Sequence, residues 1–299
     1  MVSLPTGESV LSSVETRLRA VGGSLAGTHP ATRRLAMALW SQYVRLYPEV
    51  ANGVLATRVG RQATVEPFRV VEIDPARIEF MVESSALPRQ ARSDDVFPES
   101  KFKYAGAVLG GDWDRSCERF EDSELYRSFR AHFRDGVDWA ATPFYETVVD
   151  HIEAGTTMWG CRTAGEFRER CRDLDRLYDA IASHGFRSQR ELATSEIPDP
   201  VDGDSPPRPH RVRLVNDELA VCIGRDGDFL FLDGRDRLAI AKLLDVETVP
   251  AWVVVRHREW QRLRTAVARR PWLAGQLQAD LRDHPDVDSD GSAAVAGRP

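Results

Sequence analysis

The stretch DELAVCIGRDGDFLFLDGRDRLAIAKLLDVETVPAWVVVRH, residues 217–257, constrains the fold more than any other part of this 299-residue chain. Two short apolar runs meet across Gly224-Arg225-Asp226-Gly227, the signature of a β-hairpin. Asp233-Gly234 then breaks the second run, residues 235–244 read as a short helix, and VPAWVVVRH (249–257) is a near-continuous apolar strand. A helix that starts directly after a strand presents unpaired backbone amides and the positive end of its dipole. Gly234 lets the backbone turn sharply and admits a ligand close to it, and Arg235 and Arg237 add donors matched to phosphate oxygens. Two readings stay open from the residues alone. Either the helix start holds an anion, with Asp233 supporting a metal or an attacking hydroxyl, or Asp233 is an N-cap and the arginines pair with Asp236 and Asp245.

Upstream, PATRRLAMALWSQYVRLYPEV (30–50) is a helix candidate whose aromatic side packs on the body of the protein or, less favoured, lies on a membrane surface. FRVVEIDPARIEFMV (68–82) has strand character with a turn at Asp74-Pro75, and Ala105–Leu109 is a further strand-like piece. From Phe120 to Cys171 the pattern is helical, broken by glycines. A long amphipathic helix follows, with Phe167, Cys171, Leu174, Leu177, Tyr178 and Ile181 at helical spacing and Gly185 as its stop. A Pro/Asp/Gly-rich loop covers 194–211. The expected division is a disordered N-terminus (1–30), a mainly helical region (31–170), a sheet-bearing core (171–258), a C-terminal helix (259–283) and a disordered polar tail (284–299).

Composition narrows the function classes. The chain is 42% hydrophobic with a net charge of −6, so no overall basic field gathers nucleic acid. Its 40 basic residues include only Lys101, Lys103 and Lys242 as lysines, so a single arginine carries little weight as a phosphate signal. Cys117, Cys161, Cys171 and Cys222 lack CxxC pairing and zinc spacing, which reads as free thiols. The N-terminus shows no apolar leader and no run approaches the ~20 apolar residues of a membrane span, so the expectation is a cytoplasmic protein. His132 and His151 read as helix-surface residues. Arg256-His257-Arg258 reads as a solvated strand end or, alternatively, a pocket rim.

VLGGDWDRS (108–116) is the second unusual cluster. Two glycines after an apolar strand make a tight loop, in which Asp112 and Asp114 flank Trp113. Carboxylates two residues apart can share a divalent cation such as Mg2+, or one can act as a base toward an alcohol. Trp113 can stack on a base or sugar ring. The bland alternative is a glycine turn with solvated aspartates and a core tryptophan.

The order of helix, hairpin and Gly234-Arg235-Asp236-Arg237, with Ala239 and Ala241 in the helix and Val249-Pro250 opening the last strand, resembles the ParB N-terminal/sulfiredoxin-like domain family over residues 173–257. That resemblance implies an α+β fold, a small mixed sheet with flanking helices, and a Gly-x-x-Arg helix start that holds nucleotide phosphates. Gly234 and Arg237 match the phosphate positions. Asp236 stands where sulfiredoxins and the related serine kinases carry His, and Arg235 stands where sulfiredoxin has its Cys, which excludes sulfiredoxin chemistry. Too few residues follow His257 for the helix-turn-helix of partition proteins. Similar bacterial and archaeal proteins pair a GGDWD-like stretch, and a segment like 136–155, with this element.

The resulting expectation is a nucleotide-dependent phosphotransferase acting on a small hydroxyl-bearing metabolite, with ATP, ADP or CTP and Mg2+ as cofactors. Gly234, Arg235, Asp236, Arg237 and Trp113 would hold the nucleotide, Asp112 and Asp114 the metal, and Asp112, Asp114 and Asp233 would serve the chemistry, the GGDWD loop facing the helix start. Alanine at Arg237 would abolish nucleotide binding without unfolding the chain. The alternatives are a ParB-like nucleic-acid-binding or nuclease protein and a non-catalytic nucleotide sensor or interaction protein.

Overall fold

The computed structural model describes residues 35, 38–43, 45–46, 65–82, 104–115, 117–194, 213–214 and 217–287. In chain order its elements are β1 (Val70–Ile73), β2 (Phe80–Val82), β3 (Ala107–Leu109), β4 (Cys117–Arg119), α1 (Glu124–Asp135), α2 (Pro143–Glu153), α3 (Ala164–His184), α4 (Gln189–Thr194), β5 (Ala220–Ile223), β6 (Phe229–Asp233), α5 (Arg235–Leu243), β7 (Val249–His257), α6 (Arg258–Arg269) and α7 (Ala279–Arg282). The segments expected at 1–30 and 194–211 lie outside the described residues, apart from Thr194, which ends α4.

Every residue of β7 is buried, as its unbroken apolar sequence requires of a strand covered on both faces. Its two edges are occupied as well. β5 runs parallel along one, while antiparallel β1 takes the first half of the other and parallel β3 takes the last three residues. The seven-stranded mixed sheet has the order β1-β7-β5-β6-β2-β4, with β3 beside β7. Its outer members come from residues 70–119, so the sheet is not confined to the expected core at 171–258. The region before residue 170 supplies four strands as well as helices.

Alternation sorts the side chains onto two faces. Val249, Ala251, Val253, Val221, Ile223, Phe229 and Phe231 face a helical layer built from α1, α2, α3, α5 and α6. Ala220, Cys222, Leu230, Trp252 and Val254 pack on the other side with Trp40, Trp113 and Leu214. The register of β5 against β7 slips between Val221 and Cys222. The slip puts Val254 and Val255 on the same side and sends Arg256 under the helices. The helix expected over 30–50 is helical where it is described, with Trp40 buried and Leu35, Leu39 and Leu46 exposed.

Local chemistry explains the helix limits. Thr163 accepts the Glu166 amide at the start of α3, Glu166 reaches back to the Arg162 amide, and Gly185 at φ 77 ends the helix. Phe167, Cys171, Leu174, Leu177 and Ile181 form its buried stripe. The single helix expected over 259–283 is three pieces, because Pro271 follows α6 and opens a 3-10 turn.

The tail expected to be disordered from 284 is instead locked in place at its first residues. His284, Asp286 and Val287 are buried. Asp286 accepts from Arg256 Nε at 2.9 Å and Nη2 at 2.6 Å and from Trp260 Nε1 at 2.9 Å, with Arg264 Nε 3.1 Å away. Arg256 and His257 are therefore neither a solvated strand end nor a pocket rim; both are core residues. His284 stacks on Phe229 and donates to the Gly227 carbonyl through Nε2, since its Nδ1 accepts the Asp286 amide. Burial pushes its pKa down to about 4. His132 also leaves the surface role expected of it, stacking on Trp139 at 4.2 Å and reaching Asp175, while His151 is exposed. No disulfide joins any of the four cysteines, three of which are buried. Among the described residues no helix is long and apolar enough to cross a membrane.

Candidate functional site

β6 delivers the chain to Gly234, which caps α5 at φ 91 and ψ 37 with no side-chain hydrogen bond to the first turn. The position demands glycine twice over. Its φ is left-handed, and a Cβ there would meet the Leu219 backbone Cα at 3.0 Å. Asp233, the last residue of β6, is therefore not the N-cap. Gly234 has no side chain with which to cap the first-turn amides of this nine-residue helix, which lie at the positive end of its dipole.

The charged residues that follow are distributed differently from either sequence reading. Arg235 is exposed, with its guanidinium 5.6 Å from the centre of the Trp159 ring. Asp236 accepts from Arg170 of α3 at 3.0 Å, and its Oδ1 has no partner among the described residues. Burial raises its pKa and Arg170 opposes the rise. Arg237 donates to the carbonyl oxygens of Asp217, at 3.2 Å, and Arg187, and lies over the Phe186 ring at 4.5 Å. Its work is to tie the end of α3 and the residues before β5 to the helix start. Asp245, the other partner expected for these arginines, pairs with Arg134.

Sequence reasoning missed Glu218. It precedes β5, is 1% exposed, and accepts the Gln189 amide through Oε2 at 2.8 Å. Oε1 has no hydrogen-bond partner among the described residues. Burial lifts its pKa from 4.5 to about 7, against the pull of Arg237. Glu218 lies one residue from Leu219, which touches Gly234, and one from Asp217, whose carbonyl receives Arg237. A buried acid, one of whose oxygens has no hydrogen-bond partner among the described residues, thus adjoins Leu219, against which the helix start packs. The sequence signal was an acidic residue at the mouth of an apolar strand, which nothing distinguished from a solvated one.

The GGDWD loop lies elsewhere. Asp114 takes the Arg225 backbone amide at 2.8 Å and Nε at 2.9 Å on Oδ2, and Nη2 at 2.6 Å on Oδ1. The same Nη2 reaches Asp112 and the Gly111 carbonyl, both at 2.9 Å. Burial would raise the Asp114 pKa, but these bonds outweigh it and hold it at about 2. His257 accepts the Glu259 amide through Nδ1 and donates from Nε2 to the Gly111 carbonyl at 3.0 Å. Trp113 is buried beside the His257 ring, with no partner for its Nε1 among the described residues, and offers no open face for stacking.

This loop is therefore a clamp on the β5–β6 turn, and that turn is at the far end of β6 from Gly234. At ~3.3 Å per residue, strand β6 and its flanks put roughly 20 Å between the two clusters. The GGDWD loop does not face the helix start. Both oxygens of Asp114 and Oδ1 of Asp112 are turned to Arg225, and Arg115 lies 3.6 Å from the same Asp112 oxygen, so two guanidinium groups stand where a shared Mg2+ would have to sit. Among the described residues no group of three or more His, Cys, Asp or Glu side chains is placed to hold a metal.

The α5 start thus gathers Gly234, Arg235, Asp236, Arg237 and Asp233 with the unexpected Glu218 and Trp159, and leaves out Asp112, Trp113 and Asp114. A scan against models of protein families, a search of curated proteins and a search of solved structures each found no match for this chain.

Proposed function

We propose that the chain binds the phosphates of a nucleotide at the start of α5 and transfers a phosphoryl group to a small hydroxyl-bearing metabolite. The observation that carries this reading is the glycine-capped start of α5 near buried Glu218, whose second oxygen has no partner among the described residues. Amides at a helix start and an exposed Arg235 match phosphate oxygens in geometry and charge. Glu218, with a pKa of about 7, is divided between its acid and base forms at neutral pH, which is what proton removal from an alcohol requires. The resemblance of residues 173–257 to ParB/sulfiredoxin-like domains supports the same end of the sheet as the ligand site.

In this reading Gly234 and Arg235 hold the phosphates, and Glu218 accepts the acceptor's proton. Arg170 and Arg237 keep Asp236 and the surrounding loops in position. Asp112, Asp114 and Trp113 brace the opposite end and take no part. The test is turnover of ATP, ADP and CTP against a panel of small alcohols and hydroxy acids, with and without added Mg2+. The expected result is acceptor-dependent consumption that Glu218→Gln suppresses at least 100-fold while nucleotide still binds. Nucleotide that binds but is consumed with no acceptor in the panel would make the protein a sensor and sink the transferase assignment.

A further inference from the structure

Trp159 occupies a position that suits glycine, asparagine or aspartate better. Met158 and Cys161 exchange both backbone hydrogen bonds, at 3.1 and 2.8 Å, closing a two-residue turn whose central residues are Trp159 at φ 55 and Gly160 at φ 75. Turns with two positive φ values favour Asn, Asp and Gly. A bulky aromatic side chain there costs conformational energy that a polar residue would not. What the chain gains is a flat ring at a fixed place. Phe144 braces the ring edge-to-face at 5.3 Å, Trp159 is only partly buried, and the Arg235 guanidinium sits 5.6 Å from its centre. Arg235 is also the first residue of α5, so a single arginine side chain spans from the helix start to the ring.

We infer that Trp159 forms the base-binding platform of the site, with Arg235 linking it to the phosphates, and that the ligand is a purine nucleotide. The inference rests on the phosphate-binding reading of the α5 start. A phosphate group at the first-turn amides and Arg235 leaves the rest of a nucleotide to run outward toward Trp159, where the indole offers a planar surface. Purines, having the larger π-face, gain more from such a surface than pyrimidines do. Trp113, which the GGDWD motif offered for stacking, is buried and has no such access.

The test is calorimetric titration of ATP, CTP and inorganic pyrophosphate into the full chain, wild type and the variants Trp159→Asn and Trp159→Phe. Asparagine suits the left-handed turn but gives up the contact with Phe144, so each variant is titrated well below its own melting temperature. The expected result is ATP binding about tenfold or more tighter than CTP and pyrophosphate, with Trp159→Asn losing that tenfold advantage. Trp159→Phe restores most of it, and pyrophosphate affinity stays within twofold throughout. ATP that binds wild type and Trp159→Asn equally overturns the platform and leaves the phosphate site standing. ATP weakened by Trp159→Asn in a protein that ignores pyrophosphate supports the platform and overturns the phosphate site. A chain that binds none of the three overturns both.

Discussion

Replacing Glu218 with glutamine should make the protein more stable at alkaline pH and leave its stability in acid nearly unchanged. The folded state holds the Glu218 proton up to about pH 7, whereas the unfolded chain releases it near 4.5. Stability contributed by that proton is fully present below pH 4.5 and is lost as pH rises through 7. That difference corresponds to about 3 kcal/mol at ~1.36 kcal/mol per pKa unit. Glutamine stands in for the neutral, protonated acid and removes this cost. The net gain at pH 8–9 is therefore about 3 kcal/mol, shrinking toward zero near pH 4.5. Urea unfolding of both proteins at each half unit from pH 4.5 to 9 measures it. His284 produces a pH dependence of the opposite kind, since burial lowers its pKa to about 4 and stability falls as pH drops below about 6.5. It lies at the far end of β6 against Gly227, so it cancels in the difference between the two proteins. Curves that stay parallel across the whole range would refute a buried, proton-holding Glu218.

Three further substitutions separate structure from ligand binding. Arg237→Ala should cost about 2–4 kcal/mol, because it strips donors from the Asp217 and Arg187 carbonyls and a cation from Phe186; a melting temperature within a degree of wild type would contradict this and restore Arg237 as a ligand contact. Gly234→Ala forces a Cβ into a left-handed position 3.0 Å from the Leu219 Cα and should cost about 2–3 kcal/mol, measured as a lowered urea midpoint. Asp286→Ala leaves Arg256 and Arg264 buried without their carboxylate and should cost about 3–5 kcal/mol, with the 284–287 segment becoming open to protease.

Elements with a local signature were legible in the sequence. The apolar run at 249–257, the hairpin across 224–227, the stripe of α3 and the Asp74-Pro75 turn all stand where their patterns put them, because strand and helix periods are properties of a few neighbouring residues. Partnerships between distant segments left no such trace. Nothing in 70–82 or 107–109 announces that these strands join β6 and β7, and nothing in GGDWD names Arg225, which lies more than a hundred residues later. The polar composition of 284–287 suggested disorder. It concealed one aspartate that fits between Arg256, Arg264 and Trp260. Glu218 was hidden for the same reason, since its chemistry comes from burial and burial is decided by the whole sheet.

The most direct test of the α5 start as a phosphate site is titration of pyrophosphate and ATP into wild type and Arg235→Glu. Arg235 is exposed, so the variant should unfold at the wild-type urea midpoint. Its reversed charge should repel an anion at the helix start and weaken both ligands at least tenfold. Binding by wild type that the variant loses, with stability unchanged, is the predicted result. No binding by wild type at millimolar ligand, or equal affinity in the two proteins, would contradict it and leave the Gly234–Arg237 turn as structure alone.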